Sequence, residues 1–119
     1  MYYFCKVEKV RTIFFSDEFE EFYTNSDVRL KEKLNYLLNI VSTQYSVSQK
    51  FIKSLENTPF YELRISLGNN EYRTILFAID HDNFMQCHKV ILLNTFLKKS
   101  TKQYKAEIRI AENILNRYI

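Results

Sequence analysis

Residues 60–80 read FYELRISLGNNEYRTILFAID, and this stretch decides the fold. Tyr61, Leu63, Ile65 and Leu67 alternate with Phe60, Glu62, Arg64 and Ser66, the period of two expected of a strand with the first set on a core and the second facing away. Gly68, Asn69 and Asn70 tolerate positive φ and form a turn, and Glu71 to Asp80 is apolar on both faces, as a central strand requires. The stretch is therefore a β-hairpin leading into the middle of a sheet. Asp80 to Asn83 reads as the next turn. Met85 to Phe96, with Val90-Ile91-Leu92-Leu93 at its heart, reads as a further buried strand.

Upstream, Lys6 to Phe14 alternates imperfectly and carries β-branched residues, a first strand. Ser16 or Asp17 then caps a short helix with acids in its first turn and Phe19, Phe22 and Tyr23 on one side. Asn25-Ser26-Asp27 breaks it and caps the next. From Val28 to about Tyr45, Leu30, Leu34, Leu37, Leu38, Val41 and Tyr45 step by three or four, an apolar stripe that needs a sheet to cover it. Ser46 to Thr58 has no clear period, and Phe51, Ile52 and Leu55 indicate a short helical turn within a connection. Tyr104 to Tyr118 closes the chain as a helix with Ile108, Ala111, Leu115 and Tyr118 on one side. The order is β-α-α-β-β-β-α, an α+β fold.

At 119 residues, with 46% hydrophobic and 16% aromatic residues but one Gly and one Pro, the expectation is a single ordered domain over residues 1–119. Cys5 and Cys87 stand far apart in no metal or redox motif, which fits a reduced, cytoplasmic chain. No basic-then-apolar leader and no run of apolar residues long enough for a membrane span is visible. The net charge of +3 is unevenly placed: residues 16–46 carry six acids and three bases, whereas residues 86–109 carry six bases and Glu107 alone. A positive pole attracts polyanions, nucleic acid first among them, although it also serves as an ordinary solvated surface.

Four basic residues frame that pole. Arg64 shares a strand face with Glu62 and lies on the hairpin partner of Arg73, so the two guanidiniums are placed to meet. Such a pair binds phosphate and stabilises the charge of a phosphoryl-transfer transition state; equally, each arginine has an acid, Glu62 or Glu71, with which to form a plain cross-strand pair. Lys98 and Lys99 follow the last strand, with Lys102 and Tyr104 just beyond, a pattern that suits a phosphate clamp beside a base-stacking ring or a solubilising run before a helix. Asp80, His81, Asp82 and His88 are better explained as turn chemistry than as metal ligands. Cys87 and His88, adjacent on a strand, point to opposite faces and make a poor nucleophile and base, and a single glycine rules out a phosphate-binding loop.

Taken in order, Lys53-Ser54-Leu55-Glu56, Tyr61-Glu62-Leu63-Arg64, Tyr72-Arg73, Leu92 through Lys99, and Glu107-Ile108 with Ala111 resemble the successive blocks of the RelE/HigB superfamily of type II toxin-antitoxin toxins, especially its HigB-like, phage-derived branch. The helical hairpin before them fits the same pattern. The resemblance implies a RelE-like fold: a small, twisted, mainly antiparallel sheet packed against an N-terminal helical hairpin, with a C-terminal helix. It implies a ribonuclease that cuts messenger RNA in the ribosomal A site, against 16S rRNA, with no metal or cofactor and no membrane, held in check by a cognate antitoxin of the helix-turn-helix kind. In such enzymes the ribose 2′-hydroxyl attacks the neighbouring phosphate. Carried across, Arg64 and Arg73 would hold the scissile phosphate, Lys98 and Lys99 would assist, Lys53, Lys102 and Tyr104 would contact RNA, and Glu62 is a candidate base. Glu62 stands where RelE carries a basic residue, Asn94 where many HigB-like chains have histidine, and Pro59-Phe60 replaces a common glycine. Two other readings fit the same fold: a ParE-like poison of DNA gyrase, and a non-catalytic module that binds RNA or antitoxin.

Overall fold

The computed structural model describes residues 9–119; the start of the expected first strand and Cys5 lie outside the described residues. The elements are β1 (Thr12–Phe15), α1 (Asp17–Asn25), α2 (Val28–Thr43), β2 (Ile52–Ser54), β3 (Phe60–Leu67), β4 (Asn70–Ala78), a short 3-10 turn (Phe84–Gln86), β5 (Lys89–Leu97) and α3 (Gln103–Leu115). The five strands form one sheet in the order β1-β5-β4-β3-β2, antiparallel except where β1 runs parallel to β5. The expected α+β architecture is therefore present.

Local chemistry sets the boundaries. Ser16 caps α1, accepting from the Phe19 amide and donating to the Leu93 carbonyl, so one side chain both starts a helix and ties it to the sheet. Asp27 caps α2 through the Leu30 amide. Gly68, at φ +61°, takes the first central position of the two-residue loop between Leu67 and Asn70, where a type II′ turn requires positive φ. The run from Met85 opens with the 3-10 turn, since the Asn83 side chain accepts from the Met85 amide and delays the start of β5 to Lys89.

One face of the sheet (Leu63, Ile65, Leu76, Val90, Leu92) packs on Phe19, Leu30, Leu34, Leu37 and Val41 of the hairpin. The other face is not open. Phe60, Ile75, Ile91, Leu93 and Phe96 pack on Ala111, Ile114 and Leu115 of α3, so Phe60 and Glu62, expected to face away from the core, are buried there. Alternation in β3 marks one face as core, the apolar residues on both faces of β4 point to two, and α3 covers the second.

Two irregularities place the site. Residues 52–54 form an edge strand instead of a helical turn, because the turn that follows is closed by hydrogen bonds. The Leu55 amide donates to the Phe60 carbonyl, the Thr58 hydroxyl to the Leu55 carbonyl, and Asn57 takes φ +62°. This brings Lys53 opposite Glu62. Further on, Thr74 pairs with Thr95 but Leu76 pairs with Leu92, so β5 bulges by one residue across from Ile75. The bulge resets the alternation and turns Phe96 toward α3, where its ring meets Tyr104 edge-on at 5.4 Å.

Away from the site, Arg11 is buried without a carboxylate partner among the described residues. Its guanidinium donates to the carbonyls of Val41, Gln44, Tyr45, Phe84 and Met85 and lies 4.2 Å from the Phe84 ring centroid. Val41 lies in the last turn of α2, and Gln44 and Tyr45 follow directly on its end, where backbone acceptors lack intrahelical partners and the helix dipole is negative. Arg11 thus ties that helix end to the loop before β5.

Candidate active site

Arg64 and Arg73 are direct cross-strand partners on β3 and β4, and the next position across is Phe96 of β5. Glu62, two residues from Arg64 on the same face, sits between the guanidiniums. Its Oε2 lies 3.4 Å from Arg64 Nε and its Oε1 3.7 Å from Arg73 Nε. Neither Nε–H makes a hydrogen bond, although both are buried. Arg73 is instead fixed through Nη1, which donates to the Tyr72 carbonyl and to Glu71 Oε1. Glu71 is held below the usual carboxylate range first by the Ser66 hydroxyl, against the opposing effect of burial, and then by Arg73. The plain acid–base pairs and the arginine cluster thus coexist.

Tyr104, at the start of α3, donates its hydroxyl to Glu62 Oε1 at 2.5 Å. Burial first, and the Glu62 carboxylate second, push the Tyr104 hydroxyl up to about 12, so it stays protonated at neutral pH. The Lys98 ammonium lies 6.0 Å from the Tyr104 ring centroid. Gln103 holds the approach to the helix, accepting from the Lys99 and Ser100 amides and donating to the Leu97 carbonyl.

A cavity of about 260 Å³ opens onto this cluster, bordered by Lys53, Glu62, Arg64, Lys98 and Tyr104 with Ser54, Leu55 and Glu56. Five of the eight residues named from the sequence therefore meet at one cavity. Arg73 stands behind Glu62 and does not line it; Lys99 and Lys102 are exposed on the turn before α3 and lie outside it. Sequence reading missed Gln103, Ser54 and Glu56. A polar residue next to the lysine run was the signal for the first, and the edge strand, once seen, for the other two.

A larger concavity of about 990 Å³ lies elsewhere, between the α1–α2 corner and the β3–β4 turn, bordered by Glu18, Glu21 and Asp27 over Phe22, Leu30, Leu67 and Tyr72. It contains none of the predicted residues. Chemistry identifies the site better than size here, since a cleft for a phosphodiester needs converging cations. The Asp80 carboxylate accepts from the His88 and Lys89 amides and His81 Nδ1 from the Asn83 amide, which is turn chemistry. Among the described residues no group of histidine, cysteine and acidic side chains is arranged to hold a metal, and no helix is long and apolar enough to cross a membrane.

The Tyr104 environment has a measurable consequence. A hydroxyl whose folded value is raised above the ordinary value near 10 contributes stability that is present below about pH 10 and lost as pH rises through about 12. In ultraviolet titration of the folded chain, one tyrosine should ionise at about pH 12, and Tyr104→Phe should remove that step. A high-pH step that persists in the variant would contradict the assignment of the raised value to Tyr104.

A hairpin-backed, mainly antiparallel sheet, closed by a C-terminal helix over a cationic cluster, is the RelE type of α+β fold. The chain is similar to a free-state mutant of the E. coli toxin RelE with a TM-score of 0.58 and 15% identity, over 84% of this chain and 96% of that one. The family model described as phage derived protein Gp49-like (DUF891) matches residues 17–116, and the chain belongs to that family, which is of the RelE/HigB toxin type. No curated protein matches in sequence.

Proposed function

We propose that this chain is the toxin of a toxin-antitoxin pair and a metal-independent endoribonuclease that cuts messenger RNA in the ribosomal A site, in the cytoplasm. The observation that carries this reading is the meeting of Lys53, Arg64, Lys98 and Tyr104 around the buried Glu62, with Arg73 behind it. In the proposed reaction the ribose 2′-oxygen attacks the adjacent phosphorus and the bond to the 5′-oxygen breaks, leaving a 2′,3′-cyclic phosphate and a 5′-hydroxyl. Arg64 binds the scissile phosphate and its developing charge, backed by Arg73.

Glu62 is too buried to meet the ribose directly, with 5% of its side chain exposed. Its hydrogen bond from Tyr104 provides a route: Tyr104 takes the 2′-hydroxyl proton as its own passes to Glu62 Oε1. At so high a value the phenol keeps its proton at neutral pH, so it accepts the ribose proton only as it passes its own to the carboxylate behind it. Lys98 supplies the proton to the departing 5′-oxygen. Lys99 and Lys102, outside the cavity, contact flanking RNA or 16S rRNA phosphates, and a helix-turn-helix antitoxin neutralises the toxin by covering this pole.

The test is direct: purified chain is added to ribosomes paused on a defined message, and the new ends are identified. Cyclic phosphate on the upstream fragment and hydroxyl on the downstream one are expected; intact message would reject the reading. With about four phosphates contacted on a single strand, binding should weaken about fifty-fold between 50 and 200 mM salt. A flat salt response would argue against a phosphate-reading cleft.

A further inference from the structure

Glu56 is an odd group at the edge of a cavity suited to phosphate. It borders that cavity with Lys53, Arg64, Lys98 and Tyr104, all of which suit an anionic strand. The other carboxylate there, Glu62, is offset by two guanidiniums and bonded by Tyr104. Glu56 has no such partner: among the described residues it forms no ion pair, its side chain makes no hydrogen bond, and it is exposed. Nor is it on a loose loop. The turn that carries it is closed by the Leu55–Phe60 and Thr58–Leu55 hydrogen bonds, with Asn57 in the left-handed region, so its backbone is held at the cavity mouth.

A bare carboxylate in this place weakens phosphate binding, yet it accepts hydrogen bonds from any donor that RNA presents. Phosphates present none. Among the bases, guanine alone offers two neighbouring donors, N1–H and the N2 amine, spaced for the two oxygens of a carboxylate. Adenine and cytosine each offer one amine beside a ring nitrogen acceptor, and uracil one N–H flanked by two carbonyls that repel an anion. Unpaired bases in single-stranded RNA are open to reading on this edge. The cavity, at about 260 Å³, has room for one nucleotide rather than several.

We propose that Glu56 is a specificity residue that selects guanine next to the scissile phosphate, by accepting N1–H and N2–H on its two carboxylate oxygens. This rests on the nuclease reading above and adds to it a choice of base. Charge-assisted pairs of this kind discriminate strongly, because the wrong base leaves a desolvated carboxylate without donors.

The experiment compares the wild-type chain with Glu56→Gln, which keeps shape but replaces one acceptor by a donor, on ribosomes programmed with messages that differ only in the bases flanking the cut. The readout is the ratio of cuts beside guanine to cuts beside adenine, a quantity that a merely structural role would not move. Wild type should favour guanine, and Glu56→Gln should lower the ratio about tenfold. Cleavage by both chains with the same ratio overturns the proposal while leaving the nuclease reading in place, as does a wild-type preference for another base. No cleavage by a folded wild-type chain overturns both.

Discussion

Arg64→Ala should lower the rate of message cleavage on programmed ribosomes by about 10²–10³-fold, the loss seen when one preorganised donor to a developing oxyanion is removed. Arg64 is the better probe of the two arginines. Its side chain is 30% exposed and its Nε–H is unspent, so beyond its share in offsetting Glu62 it is less tied to the fold than Arg73, which is buried and bonded to Glu71 and the Tyr72 carbonyl. The circular dichroism spectrum should stay that of wild type, with a melting temperature lowered by the loss of one of the two charges that offset Glu62. Arg64→Lys should recover only part of the rate, because an ammonium restores the charge without the planar fork. A folded Arg64→Ala chain within about fivefold of wild type would remove Arg64 from the phosphate site.

Arg11→Met should have the largest effect on stability, about 3–5 kcal/mol, read as a fall in the denaturation free energy and a drop in melting temperature of about 10–20 °C. The reason is not a lost ion pair. The guanidinium satisfies five carbonyls in a buried place, three of them at the end of α2, and a thioether leaves those acceptors without donors. Against a typical total of roughly 5–15 kcal/mol, that loss removes a large part of the stability. A change below about 1 kcal/mol would mean that water replaces the guanidinium at little cost.

The contrast between these two arginines shows how far the sequence could be read. Arg64 was legible because strand alternation put it on one face with Glu62 and the hairpin put Arg73 opposite, and the register holds. Arg11 is one of three bases in the imperfectly alternating stretch from Lys6 to Phe14, and nothing in that pattern singles it out; its partners are carbonyls 30 and more residues away, which leave no trace in side-chain pattern. The same limit applies to the site. Glu62 and Tyr104 are 42 positions apart, and only the packing of α3 on the sheet brings the phenol to the carboxylate. The edge strand at 52–54 was hidden because three residues are too few to show a period, and its turn relies on Asn57 and Thr58 rather than glycine. Lys53 was named from resemblance, and its place opposite Glu62 required that strand.

If this cluster cuts messages as they are translated, the cuts are visible in living cells. Brief induction of the wild-type and Arg64→Ala chains in a bacterial host, followed within minutes by genome-wide mapping of mRNA 5′ ends, tests it most directly. New 5′-hydroxyl ends inside translated frames, phased with the codons, are expected for wild type and should be lost in the variant. Intact messages while growth stops, equally with both chains, would contradict message cleavage and point to a target such as DNA gyrase.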